Sequence, residues 1–372
     1  GADVPFTDPY GVFVDPDNPL ADDATAEFGN PNKPWKSHWG YRQTAKQAAW
    51  PTPRGGGPIN VYQPRGSVSR NGDGTNTGDA CVFKYGSFHL QPLPGSSGQA
   101  PVIDAAARFP LTSDSSAWYG QLQFGAMMFR ACTNSTVEEF IVRDSWSVGI
   151  SAECDQLSPF GVSDGITIKN CIVDRSGSDG ILLRGYQAPS ERPPASPTYV
   201  WPANTIKNVT IKNVIVKESA YAMQGTENIS GHPDETQATT GQAITTSLLE
   251  GGLIEDCKAI DFRKEGFDAI SSRNVTFRRC YAERAADTPY GTQRGANFYT
   301  DSSQEGCRDI LFEQCTSVGG SAAFRIASEA GGEMIRIKFA SCWAWGGTSA
   351  PLGFTDESQT GVVVEDCGFE HC

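Results

Sequence analysis

The chain has 372 residues, of which only 38% are hydrophobic, with 40 Gly and 23 Pro. That is too turn-rich for a helical bundle yet well short of collagen-like or low-complexity composition. A formal net charge of −13 argues against a nucleic-acid partner, which needs a basic patch to displace counterions. No apolar run approaches the roughly 20 residues of a membrane span.

The N-terminal region, residues 1–56, reads as an entry strand followed by a loop-rich cap. Val12-Phe13-Val14-Asp15-Pro16 is the strand, and Phe28 to Lys36 is the Gly/Pro/Asn-rich loop after it. From residue 57 to 372 the pattern is repetitive. Early units are carried by Ile59-Asn60-Val61-Tyr62, Cys81-Val82-Phe83 and Pro101-Val102-Ile103. From about Asn134 a phrase recurs: alternating β-branched or apolar residues, a polar pair and a Cys. It appears as Ile166-Thr167-Ile168-Lys169-Asn170-Cys171, Val209 to Val214, Ile254-Glu255-Asp256-Cys257 and Val275 to Cys280. It returns as Ile310 to Cys315, Ile337 to Cys342 and Val362 to Cys367. Short repeats with insertions of variable length are the mark of a solenoid.

A second short strand follows each phrase. These are Gly180–Arg184, Ala222-Met223-Gln224, Gly266–Ala269, Ala296–Tyr299, Ala323–Ile326 and Leu352–Thr355. Their alternation has period 2, which predicts strand and not helix.

The phrase "I-x-I-x-N-C" resembles that of the pectate-lyase-like superfamily of right-handed parallel β-helices. The resemblance implies an all-β, single-stranded right-handed solenoid with long loops on one face. The N-terminal strand and loop resemble those of many secreted members, which implies a secreted or cell-surface location.

Cys171, Cys257, Cys280, Cys315, Cys342 and Cys367 are read as one inward slot on successive coils, where a small soft thiol packs well. Val214 and Phe140 in the same slot argue for apolar volume and against a metal site, which needs convergent thiolates. No pairing follows from sequence for Cys81, Cys132, Cys154, Cys307 and Cys372. The 4 His residues are scattered, so no zinc site or histidine triad is expected. Asn71-Gly72-Asp73-Gly74 reads as a tight turn, with calcium as the minor alternative.

In such a solenoid, function falls to outward residues on neighbouring coils and to the loops beside them. Outward candidates are Arg184, Gln224, Asp268, Asn297, Tyr299 and Arg325, with Asp301 and Asp356 one coil further on. Two long insertions flank this row. Residues 185–205 carry Tyr199 and Trp201, and residues 225–249 carry His232. Loops of this length are usually functional or disordered, and aromatic rings suit sugar faces.

The leading expectation is a polysaccharide lyase acting on an acidic, uronate-containing polymer by β-elimination. That chemistry needs a group to neutralise the uronate, a base and an acid. Arg184, Lys264, Arg273 and Arg325 are candidates for base or neutraliser, Tyr299 for proton donor, and Gln224 or Asn297 for the carboxylate contact. Related lyases sometimes use Ca²⁺, so the resemblance makes this ion the one candidate cofactor. A glycoside hydrolase would instead use paired carboxylates, Asp268 with Asp301 or Asp356. The alternative from another class is a non-catalytic adhesin or filament subunit that self-associates through open β-helix ends.

Overall fold

The computed structural model describes residues 6–38, 57–70, 81–105, 126–145, 148–154, 161–185, 205–219, 241–262, 264–284, 296–302, 306–320, 322–328, 333–347, 351–356 and 364–372. Its strands form three parallel sheets of 12, 9 and 9 strands. No helix occurs among the described residues. One coil runs Thr136–Glu138, Ile141–Ser145, Ile150–Glu153, and the next runs Thr167–Lys169, Ile172–Ser176, Ile181–Arg184. Each strand pairs in register with its counterpart one coil away. We call the sheets I, II and III in this order.

The recurring phrase forms sheet I, and the second strand forms sheet III. Sheet II is an additional finding. Its strands, such as Ile215–Ser219 and Tyr281–Arg284, follow directly after the phrase, where the sequence pattern suggests only a turn.

The polar residue before each Cys slot has a geometric reason. Glu139, Asn170, Asn213, Asp256, Arg279, Gln314, Ser341 and His371 all have φ between 50° and 60°. This left-handed position turns the chain from sheet I into sheet II, and Asn tolerates it better than most residues. Asn213 also donates its side-chain amide to Asn170 Oδ1 at 2.9 Å.

Register corrects the end of the Cys column. Ala340 pairs with Glu370, and Phe339 with Phe369, so Cys372 stands where Cys342 stands one coil earlier. Cys372 Sγ contacts the Phe339 carbonyl at 3.3 Å, as Cys342 Sγ contacts that of Phe312 at 3.5 Å. Cys367 lies five residues upstream and approaches Met334 O at 3.2 Å. The final phrase is therefore Gly368 to Cys372, not Val362 to Cys367. All eleven cysteines carry thiols, and burial pushes that of Cys171 up to about 12.

Inward side chains stack along the axis. Phe277, Phe312, Phe339 and Phe369 form one column, with centroids 4.5, 4.4 and 5.2 Å apart. Phe267, Phe298 and Phe324 form another, at 5.0 and 5.3 Å. The two columns meet edge-on, with Phe298 and Phe312 at 6.0 Å. At the N-terminal end Val12–Phe13 pairs with Val61 and Tyr62, and Val12, Val14 and the fully buried Trp35 join the same core.

Candidate functional site

Sheet III differs from the other two in its outward face. Outward residues of sheet I, such as Thr167 and Lys169, are partly exposed, whereas on sheet III Met128, Ser151, Thr245, Asp268 and Tyr299 are 0–5% exposed. Both long insertions adjoin this sheet. One leaves after Ile181–Arg184, and the other runs from sheet II into Ile244–Ser247. A polar row shielded from water on an otherwise solvated solenoid is the strongest structural mark of a site.

The row is built by pairing. Leu182, Thr245, Asp268, Tyr299 and Arg325 are consecutive register partners on five adjacent strands. Two residues on, a parallel row holds Arg130, Glu153, Arg184, Ser247, Ile270 and Asp301. Asp301 is thus on the same strand as Tyr299, diagonal to Asp268, and not one coil further as the sequence pattern implied. Strand spacing and two residue rises put the two Cα atoms about 8 Å apart.

Asp268 is the electrostatic centre. Burial, reinforced by the charges of Asp301 and Glu265, holds its carboxyl well above the usual carboxylate range, against the pull of Lys264 and Gln242. Gln242 Nε2 donates to Asp268 Oδ2 at 3.3 Å, while Oδ1 has no hydrogen-bond partner among the described residues. Glu265 is 2% exposed, and Lys264 Nζ lies 3.6 Å from its Oε2. The Lys264 carbonyl accepts a hydrogen bond from Arg284, whose guanidinium sits 4.6 Å over the Phe262 ring. Burial lowers Arg284 to about 10.

Asp179 supports the site from the preceding coil. Its Oδ1 accepts the backbone N–H of Gly241 at 2.8 Å and of Gln242 at 3.2 Å, and Thr245 Oγ1 lies 3.4 Å from Oδ2. Burial raises it from 3.8 to about 6, outweighing these bonds and Lys264. Asp179 thereby anchors the segment that presents Gln242 and Thr245.

The candidates from sequence are sorted by this geometry. Asp268, Tyr299 and Arg325 are brought together, and Lys264 lies within electrostatic reach. Arg184 is on the same face but three strands and two residue rises from Tyr299, about 16 Å away. It donates to Glu153 Oε1 at 3.2 Å. Arg273 belongs to sheet I, paired with Glu250 and Arg308, because it opens a phrase strand. It is therefore not part of the row. Asn297 is fully buried, donating to Ser317 Oγ at 2.7 Å and to the carbonyls of Val318 and Gly319, so it ties a corner and does not face a ligand. Asp356 pairs with Ser328 and is one residue out of the Asp301 row. Gln224, Tyr199, Trp201 and His232 lie outside the described residues, as does Asn71–Gly74. The strand of that coil is Ile244–Ser247, so Thr245 holds the place expected for Gln224.

Asp179, Gln242, Thr245 and Glu265 escaped the sequence reading. The signal for Ile244–Ser247 was an Ile-Thr-Thr run inside a polar insertion, and Asp179 and Glu265 lie immediately before strand-opening glycines. Among the described residues, no group of three or more His, Cys, Asp or Glu side chains is set to hold a metal ion. No helix there is long and apolar enough to cross a membrane.

A family profile described as right handed beta helix region matches residues 160–307. No curated protein matches the chain in sequence. Among solved structures, pectate lyase Pel9A is 10% identical with a TM-score of 0.55, over 94% of this chain and 79% of that one. A protein titled glycoside hydrolase is 8% identical with a TM-score of 0.49, over 97% and 96%. The Streptococcus pneumoniae surface protein and adhesin PfbA is 11% identical with a TM-score of 0.37, over 80% and 86%. Sheet order, register, the family profile and the likeness to Pel9A agree that the chain is a right-handed parallel β-helix with the pectate-lyase-like fold.

Proposed function

We propose that the protein is a secreted or surface-displayed carbohydrate-active enzyme that cleaves a polysaccharide on the outward face of sheet III. The observation that carries this reading is Asp268, a fully buried carboxyl on one outward face with a second, Asp301, where burial and that neighbour's charge disfavour its ionisation. A carboxylic acid whose ionisation is disfavoured by its surroundings is suited to protonate a glycosidic oxygen. Asp301 would then accept a proton from the water that attacks the anomeric carbon. Adjacent strands with Cα atoms about 8 Å apart put the two carboxyls on one face, as an acid–base pair requires. Tyr299, Arg325 and Gln242 would position sugar hydroxyls. The fold likeness to a pectate lyase supports a polysaccharide as substrate class.

A second reading, β-elimination on a uronate polymer, is favoured by the pairing of Tyr299 with Arg325, a proton donor beside a cation. One assay separates the two. The protein is incubated with neutral and uronate polysaccharides, with and without Ca²⁺, while reducing ends and the ultraviolet absorbance of unsaturated uronates are followed together. Hydrolysis predicts reducing ends without that absorbance, abolished by Asp268→Asn and by Asp301→Asn. Absorbance that is lost in Tyr299→Phe would establish elimination instead. Neither signal across the panel would leave the non-catalytic adhesin reading.

A further inference from the structure

We infer that the outward face of sheet II carries a glycan-binding platform, built on Trp343 and Trp345 and separate from the cleft on sheet III. Sheet II points its alternate residues inward: Ala259, Ala282 and Ser317 are buried register partners, and Ala344 continues that row on the edge strand, where it is itself exposed. Trp343 and Trp345 flank Ala344, so both occupy outward positions of one strand. They are 51% and 59% exposed, whereas Trp35, the one other Trp among the described residues, is fully buried. Two residue rises place them about 7 Å apart on one face.

Polar groups interleave with these rings. Thr316 and Val318 are the register partners of Trp343 and Trp345, and Tyr281 lies one strand further back. Tyr281 donates to Glu283 Oε2 at 2.8 Å on the same outward face. The platform therefore offers aromatic surface for the C–H faces of pyranose rings, with hydroxyl and carboxylate partners for their hydroxyls. The alternative occupant, a second protein chain, is poorly served. Two half-exposed Trp side chains offer only about 300 Å² of aromatic surface, against roughly 800 Å² per partner in a stable protein interface. The platform lies on a different sheet from Asp268 and does not depend on the cleavage chemistry proposed above.

The test is affinity electrophoresis in gels cast with xylan, β-glucan, galactomannan, alginate or pectate, using Asp268→Asn so that the polymer is not degraded. The expected result is retardation in at least one gel, weakened about tenfold or more in Trp343→Ala/Trp345→Ala and retained in Trp343→Phe/Trp345→Phe. Both positions are half exposed on an edge strand, so the fold should tolerate the change, which thermal unfolding checks directly. The same double Ala substitution in the otherwise unaltered protein should leave cleavage of a short soluble oligosaccharide unchanged. Absence of retardation in every gel, or equal retardation of the double Ala variant, would overturn the inference. So would a dimer in sedimentation that only the double Ala variant loses, which would assign the pair to a second copy of the chain. Loss of cleavage without loss of retardation, as in Asp268→Asn, would bear on the sheet III site alone.

Discussion

Asp179→Asn tests the electrostatics of the site while leaving every residue of its outward row in place. In the folded protein burial raises Asp179 from 3.8 to about 6, a difference corresponding to about 3 kcal/mol. The sign follows from which state binds the proton. Between about pH 4 and 6 the unfolded chain releases it while the folded chain still holds it. The stability that Asp179 contributes is therefore complete below 3.8 and is lost as pH rises through about 6. Asparagine does not titrate, and its geometry fits. Both backbone N–H groups of Gly241 and Gln242 point at the same oxygen, Oδ1, and the other atom faces Thr245 Oγ1, to which an amide can donate. The variant should match the wild type in urea unfolding at about pH 4 and exceed it by up to about 3 kcal/mol at about pH 8. A difference that is the same at both pH values, or a variant less stable at about pH 8, would refute the assignment of a buried, proton-holding carboxyl.

Other expected outcomes follow from the packing. Phe312→Ala removes a fully buried ring stacked between two others and should cost about 3–5 kcal/mol in chemical denaturation. Gly180→Ala would place its Cβ 2.7 Å from the Ala243 carbonyl and 2.1 Å from Val216 Cγ1, so a loss of about 1–3 kcal/mol is expected by the same measurement. Thiol labelling of the native protein should modify Cys372 rapidly and Cys367 more slowly. The other nine cysteines are buried and should react only on unfolding, since burial suppresses the thiolate.

The repeat phrase made the solenoid legible because the β-helix imposes a local chemical demand at every coil. Inward apolar residues must alternate, and a residue tolerant of left-handed backbone must precede each buried slot, as Asn170 and Asn213 do. These demands act within a few residues, so they are written in the chain. Sheet II was harder to see. Its strands follow the phrase directly, and the left-handed corner that separates them, visible as a φ of 56° at Asn170, leaves the apolar pattern almost continuous.

The site was legible only in part, and the division has a physical cause. Strands Phe267–Ile270, Ala296–Asp301 and Ala322–Ser328 alternate clearly, so Asp268, Tyr299 and Arg325 could be placed on one outward face from sequence. Arg184 stands three strands from Tyr299, as the order of strands in the sequence already implied. What the insertion hid was the intervening strand itself, Ile244–Ser247 in the place expected for Ala222–Gln224. The end of the Cys column slipped for a related reason: Cys367 and Cys372 both follow short apolar runs, and only interstrand pairing tells which run is in register. The sequence by itself determined the coil, because each coil's backbone geometry restricts its own residues. Tertiary structure decided which carboxyls share a face and how strongly they perturb one another, because register and burial are properties of neighbouring coils and not of any one segment.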